Sequence, residues 1–169
     1  MNETLSLVER EIPRLRRYAR YLVRDPNRAD DLVQETLVRA IEKLHTWQQG
    51  TNMRAWLFVI MRNSFISEVR NEKRRPMTSI LRDDHPAYAV TGGEMTHVAF
   101  IDVQRAFEVL SEDHRDILQL VVIEGLKYEE AAAVLNVPIG TVRSRVARAR
   151  LALRDLLEGG EEKEAGVLP

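Results

Sequence analysis

The residues best suited to chemistry lie between 125 and 154, GLKYEEAAAVLNVPIGTVRSRVARARLALR, and what they suit is the holding of a polyanion. Thr141, Arg143, Ser144, Arg145, Arg148, Arg150 and Arg154 form the polar side of a segment whose other side is Val142, Val146, Ala149, Leu153 and Leu156. The apolar set recurs at spacings of four and three, the period of a helix with one buried stripe. No acidic residue occurs between Ala131 and Arg154, so the positive side is uninterrupted. Guanidinium forks and hydroxyls in such a row suit phosphates and base edges. Many arginine-rich helices are plain solvated faces, and it is the elements in front of this one that set it apart.

Those elements are a short helix and a tight turn. Tyr128, Ala131, Ala132 and Leu135 recur at i, i+3, i+4 and i+7, and Glu129 and Glu130 lie in the opening turn, where a helix dipole favours carboxylates. Asn136 suits a left-handed C-terminal position, and Pro138 suits the first turn of the helix that follows. The pattern predicts a helix-turn-helix with a basic recognition helix.

Composition narrows the rest. The net charge of −1 hides local contrast: residues 1–75 hold 15 Lys/Arg against 10 Asp/Glu, whereas 158–164 hold four Glu and one Lys. With no cysteine, disulfides and thiolate metal sites are excluded. His45, His85, His97 and His114 lack metal-ligand spacing, and nothing resembles a phosphate loop or a nucleophile elbow, so neither an enzyme nor a cofactor is expected. The N-terminus has no signal-type apolar core and no apolar run approaches spanning length, which predicts a cytoplasmic chain. Abundant Leu, Ala, Arg and Glu with few aromatics predicts an all-α fold.

Along the chain, Leu5, Val8, Ile12, Leu15, Ala19 and Leu22 predict an amphipathic helix over 5–23, with Arg14, Arg16, Arg17 and Arg20 outside and Pro13 as a kink or a restart. Asp25-Pro26-Asn27 is a start signal. The next helix, over 27–44, is expected to bury Ala29, Leu32, Val33, Leu37, Ala40, Ile41 and Leu44, and to show Asp30, Asp31, Gln34, Glu35 and Arg39. A polar loop follows over 45–52, with Trp47 its one large apolar residue. A third helix is predicted over 53–74, apolar all round at first and then carrying the stripe Asn63, Ser67, Arg70 and Arg74. Packing around Trp56, Leu57 and Ile60 would make an N-terminal domain of residues 1–75.

Residues 76–98 break all periodicity, with Pro76, Asp83, Asp84, Pro86, Gly92 and Gly93, and read as a linker. Phe100, Val103, Phe107 and Leu110 begin a second domain over 99–158. Within it Ser111 is placed as an N-cap, and a helix to Ile123 buries Ile117, Leu118, Leu120 and Val121. With the helix-turn-helix this predicts four helices, then a frayed acidic tail over 159–169.

Three separated stretches, in order, resemble the extracytoplasmic-function sigma factors, small two-domain bacterial initiation factors. DLVQETLVRA (31–40) is similar to the family's polymerase-binding helix, RAWLFVIMRN (54–63) to the helix leading into minus-ten recognition, and YEEAA (128–132) through GTVRSR (140–145) to its minus-thirty-five helix-turn-helix. The wording RAWLFVIMRNSFISEVR further resembles the general-stress subgroup of alphaproteobacteria. The resemblance implies that Asp30, Asp31, Gln34, Glu35 and Arg39 face the clamp coiled coil of the polymerase largest subunit. It implies that Trp47, Gln48, Gln49, Thr51 and Asn52 belong to a loop that captures an extruded minus-ten base, with Asn63, Ser67, Arg70 and Arg74 flanking the melting duplex. Thr141, Arg143, Ser144, Arg145 and Arg148 would then meet the minus-thirty-five element. The implied partners are RNA polymerase core (clamp helices and flap), promoter DNA and an anti-sigma factor. Lys127 departs from the family, which places a Ser or Thr cap there, and is expected to leave the short helix without a side-chain acceptor. The alternative from the residues alone is a stand-alone helix-turn-helix regulator with a sensing or dimerising N-terminal domain.

Overall fold

The computed structural model describes residues 2–74 and 97–165, with side chains over 3–74 and 102–159. Among these residues every regular element is helical. The first three are α1 (Asn2–Val23), α2 (Pro26–Glu42) and α3 (Met53–Arg74); after the undescribed stretch come α4 (His97–Val109), α5 (Glu112–Leu118), α6 (Tyr128–Leu135) and α7 (Ile139–Ala165). The chain divides into two compact units, one holding α1 to α3, the other α4, α5, α7 and most of α6. The predicted linker lies outside the described residues except for 97 and 98, which open α4.

In the first unit each helix packs on the other two. α1 runs without a restart through Pro13, contrary to one of the two expectations for that residue. Pro13 and Glu9 are both exposed, so the carbonyl that loses its helical donor is open to water while the opposite face stays packed. α1 stops at Arg24, whose left-handed backbone (φ 61°) lets its N–H return to the Arg20 carbonyl at 3.0 Å. Asp25 then caps α2: its Oδ1 accepts the Arg28 backbone N–H at 2.8 Å, and Pro26 takes the first helical position.

The core of this unit comprises Val8, Leu15, Tyr18 and Ala19 from α1, Ala29, Leu32, Val33 and Ala40 from α2, and Leu57, Phe58, Ile60 and Met61 from α3. Its aromatic centre is Phe58 stacked on Tyr18, ring centroids 4.4 Å apart and planes 19° apart. Trp56, expected at the centre, is only half-buried, because the core-facing positions of α3 are Leu57, Phe58 and Met61. Ile41, also expected inside, is exposed. α2 turns Thr36 inward instead, its Oγ1 donating to the Leu32 carbonyl at 2.7 Å, so this buried hydroxyl carries its own partner.

In the second unit α7 packs against α5 and α4. Ser111 stands at the predicted N-cap of α5 but makes no side-chain cap bond; only its carbonyl is used, accepting from the Arg115 N–H at 2.9 Å. α5 passes directly into a π turn, Gln119–Ile123, whose signature is the Glu124 N–H on the Gln119 carbonyl at 2.9 Å. The extra residue resets the helical phase. Leu120 points in, Val122 and Ile123 point out, and Val121, expected inside, is half-buried. Gln119 and Glu124 are buried in its place, with the Gln119 Nε2 donating to Glu124 Oε1 at 3.2 Å. Nor does the acidic tail fray at 159: α7 continues through Gly159 and Gly160 to Ala165. Each glycine costs about 1 kcal/mol in a helix, but Glu, Lys and Ala on the far side are good helix formers, and propagation adds one bond for each residue fixed.

Candidate polymerase and nucleic-acid interfaces

The turn between α6 and α7 is built from backbone bonds. Lys127 offers no capping side chain, yet its own backbone N–H donates to Glu130 Oε2 at 2.8 Å, the return half of a capping box. The end of α6 that was expected to lack a side-chain acceptor therefore has one, supplied from inside the helix. Asn136 adopts the left-handed conformation (φ 53°), the Val137 N–H reaches the Ala132 carbonyl at 3.1 Å, and the Pro138 carbonyl receives the N–H groups of Thr141 and Val142. This geometry launches α7 with Val142, Val146 and Ala149 buried and Arg143, Ser144, Arg148 and Arg150 exposed.

Three of the polar residues of α7 already have partners. Ser144 Oγ donates to the Thr141 carbonyl at 3.0 Å; Arg148 donates through Nε to the Ser144 carbonyl at 3.3 Å and through Nη2 to Ser144 Oγ at 3.2 Å. Arg145 reaches off the helix to α5, its Nη2 2.8 Å from Asp113 Oδ2. Sequence reasoning missed that pair, because a contact between helices leaves no mark on either helical period.

On α2, Asp30, Asp31 and Gln34 are exposed, while Glu35 and Arg39 are half-buried and paired with each other at 2.6 Å. Val38 and Ile41 are 56% and 60% exposed. Asp31, Gln34, Val38 and Ile41 follow one another at three, four and three, so acidic and apolar groups share one outward stripe. Its apolar half was legible in principle, since both residues fall on the period set by Asp31 and Gln34.

The loop before α3 holds itself in place. Thr51 Oγ1 donates to the Gln48 carbonyl at 2.7 Å, and Gly50 takes φ 87°. Asn52 Oδ1 accepts the Arg54 backbone N–H at 3.1 Å, capping α3. Gln48 and Gln49 are exposed; Trp47 is half-buried, with Nε1 inaccessible and without a hydrogen-bond partner. Thr51 and Asn52 thus shape the loop, while the two glutamines front it.

Asn63, Ser67, Arg70 and Arg74 run along the outward side of α3, all four open to water, with Ser67 at the edge of a cleft. That cleft, acidic and about 320 Å³, is lined by Glu35, Arg39, Ser64, Ser67, Glu68, Asn71 and Glu72. Arg28 pairs with two of these glutamates: its Nη2 donates to Glu68 Oε1 and Glu72 Oε1, each at 2.9 Å, and binds the first turn of α2 to the end of α3. Burial works against the Arg28 charge, but the hydrogen bond to Glu68 and the charges of Glu68, Glu72 and Asp25 outweigh it and raise its pKa. Arg28→Ala is expected to lower the stability of this unit by about 1 kcal/mol, since it removes two half-exposed bonds and leaves Glu68 and Glu72 facing each other at i, i+4. Trp47 and Trp56, the chain's two tryptophans, both lie in this unit, so the urea midpoint of tryptophan fluorescence reads the change. An unmoved midpoint would show that the bridge contributes nothing.

Among the described residues no group of three or more His, Asp and Glu could hold a metal ion, and no helix is long and apolar enough to cross a membrane. Two helical units, one with an acidic-apolar helix face and a basic stripe, the other a basic helix-turn-helix, define a class of transcription protein. A family model described as the Sigma2 domain of PhyR matches residues 8–62, and one described as Sigma-70, region 4 matches 100–153. The chain is 41% identical over 157 residues to the ECF RNA polymerase sigma factor EcfG of Rhodopseudomonas palustris, covering 89% of this chain and 84% of that one. It is 37% identical to the ECF RNA polymerase sigma factor SigC of Mycobacterium tuberculosis, over 81% of this chain and 74% of the relative. The solved structure of the sigma factor RpoE with the anti-sigma factor NepR from Bartonella quintana superposes with a TM-score of 0.66 at 35% identity, over 93% of this chain and 95% of that one. The chain belongs to the extracytoplasmic-function RNA polymerase sigma factors.

Proposed function

We propose that this chain is an alternative sigma factor of the general-stress type, which joins RNA polymerase core, directs it to a narrow set of promoters and is restrained by an anti-sigma protein. The observation that carries the reading is the pairing of an acidic-apolar face on α2 with a basic helix-turn-helix surface on α7, inside segments that match the two sigma family models in order. Asp30, Asp31, Gln34, Glu35 and Arg39, now with Val38 and Ile41, meet the polymerase clamp helices. Gln48 and Gln49 front the loop that receives an extruded minus-ten base, over a frame set by Thr51 and Asn52, with the half-buried Trp47 beside them. Asn63, Ser67, Arg70 and Arg74 lie along the melting duplex. Arg143, Ser144, Arg145 and Arg148, with Thr141 at the start of the helix, face the minus-thirty-five element.

The chain performs no reaction of its own; RNA synthesis belongs to the polymerase, and the work is done in the cytoplasm where polymerase and chromosome meet. The solved complex of the relative RpoE with NepR supports control by an anti-sigma protein. Arg145→Ala is expected to lower run-off transcription from a target promoter at least roughly tenfold while co-purification with core polymerase stays unchanged. Parallel loss of both would overturn the assignment of α7. The reading as a whole is tested by transcription with purified core on a genomic fragment library. Failure of the chain to associate with core, combined with tight unaided binding to a duplex operator, would make it an ordinary regulator instead.

A further inference from the structure

The arginines on the outward side of α7 are held in three different ways. Arg143 is exposed, and no neighbour among the described residues pairs with it. Arg148 is exposed and folds back onto Ser144 of its own helix. Arg145 is tied to another helix, 2.8 Å from Asp113, and its side chain keeps 22% of its exposure while the Asp113 side chain keeps 64%. We propose that Asp113 is a specificity-determining residue: it holds Arg145 as an aimed reader of one base-pair edge in the upstream promoter box and disqualifies it as a phosphate contact. The proposal rests on the assignment of α7 to that box.

Three physical points carry it. First, the pair is neutral as a unit. Contacts that drive phosphate binding do so by releasing counterions, which needs net positive charge; Arg143 and Arg148 have it, and Arg145 beside Asp113 does not. Second, Arg145 has five N–H donors, and its ion pair with Asp113 is made through Nη2, which leaves donors for a base edge. The ion pair restrains the guanidinium before DNA arrives, so part of the ordering that base readout demands is already in place. Third, the half-open carboxylate of Asp113 repels phosphate oxygens at that spot while tolerating the amino groups of a base. Asp113 lies in the first turn of α5, where the helix dipole favours a carboxylate whether or not Arg145 is present.

The test uses holoenzyme reconstituted from core polymerase and the full chain. Its probe is a duplex promoter fragment that the wild-type holoenzyme transcribes, with the upstream box randomised. Asp113→Asn and Arg145→Ala are expected to flatten the preference at the same single base pair, each by roughly tenfold. The double variant should be no worse than Arg145→Ala alone. Asp113→Asn should also steepen the dependence of log affinity on log salt by up to about 0.9, because the released Arg145 becomes an ordinary cation. Arg143→Ala should make that slope shallower at unchanged base preference. Asp113→Glu, which restores a carboxylate, should recover part of the preference. A purely structural strut would shift the thermal melt of Asp113→Asn without touching the base profile, and that result overturns the proposal. So does Asp113→Asn retaining a preference that Arg145→Ala loses. If Arg143→Ala, Arg145→Ala and Arg148→Ala all leave selection of the upstream box intact, the assignment of α7 itself fails, and the proposal falls with it for that separate reason.

Discussion

Asp31→Lys combined with Glu35→Lys is expected to weaken binding to core polymerase about a hundredfold. Asp31 is exposed and Glu35 half-buried on the outward side of α2, a turn or two from the exposed Val38 and Ile41. Apolar groups in that position gain from being covered, and the flanking carboxylates set which surface may cover them. Reversing both signs places cations where the partner expects anions, and loss of a buried charge pair at an interface costs about 2–5 kcal/mol. The lysine introduced at position 35 would also sit against Arg39, which now pairs with Glu35 at 2.6 Å, so repulsion replaces attraction within the helix itself. Fluorescence anisotropy of the labelled chain against core enzyme gives the dissociation constant, and circular dichroism checks that the helices persist. Affinity indistinguishable from wild type would remove α2 from the interface.

Phe58→Ala is expected to destabilise the N-terminal unit by about 3–5 kcal/mol. The ring is completely buried and stacked on Tyr18, which is equally buried, so truncation loses burial, leaves a cavity and breaks an aromatic pair. For a three-helix unit of this size that is a large share of the total. The urea transition of Trp47 and Trp56 should move to much lower denaturant, and binding to core polymerase should fall with it. Trp56→Ala, at a half-buried site, should cost clearly less. The reverse order would put the centre of the core at Trp56.

Helix positions were largely written in local chemistry. Residues 53–74 carry their own start in Asn52 and their own polar stripe, and α3 spans those residues. Asp25-Pro26 announces the cap that α2 uses, and Asn136 announces the left-handed turn before α7. What local chemistry does not encode is which side of a helix a neighbour will cover. Ile41 has the type of a core residue and the angular position of a surface one, and only packing decides between them. Trp56 errs the other way: its size suggested the centre, while the inward angle belonged to Phe58. The π turn has no residue signature, because it arises from the demands of two packed faces whose phases disagree. The ion pairs Arg28 with Glu68 and Glu72, and Arg145 with Asp113, join residues between 32 and 44 positions apart, so neither stands out in any local window. The candidate sites were legible as residue types in order, and their internal wiring was not.

The Arg28 bridge makes a lever of the N-terminal helices. A pull transmitted through the chain beyond Arg74 meets Glu72 and then Glu68 within the last two turns of α3, and both pass it through one guanidinium into the opening turn of α2. α2 and α3 therefore swing together, and tension cannot peel one from the other without first parting two charge-assisted bonds.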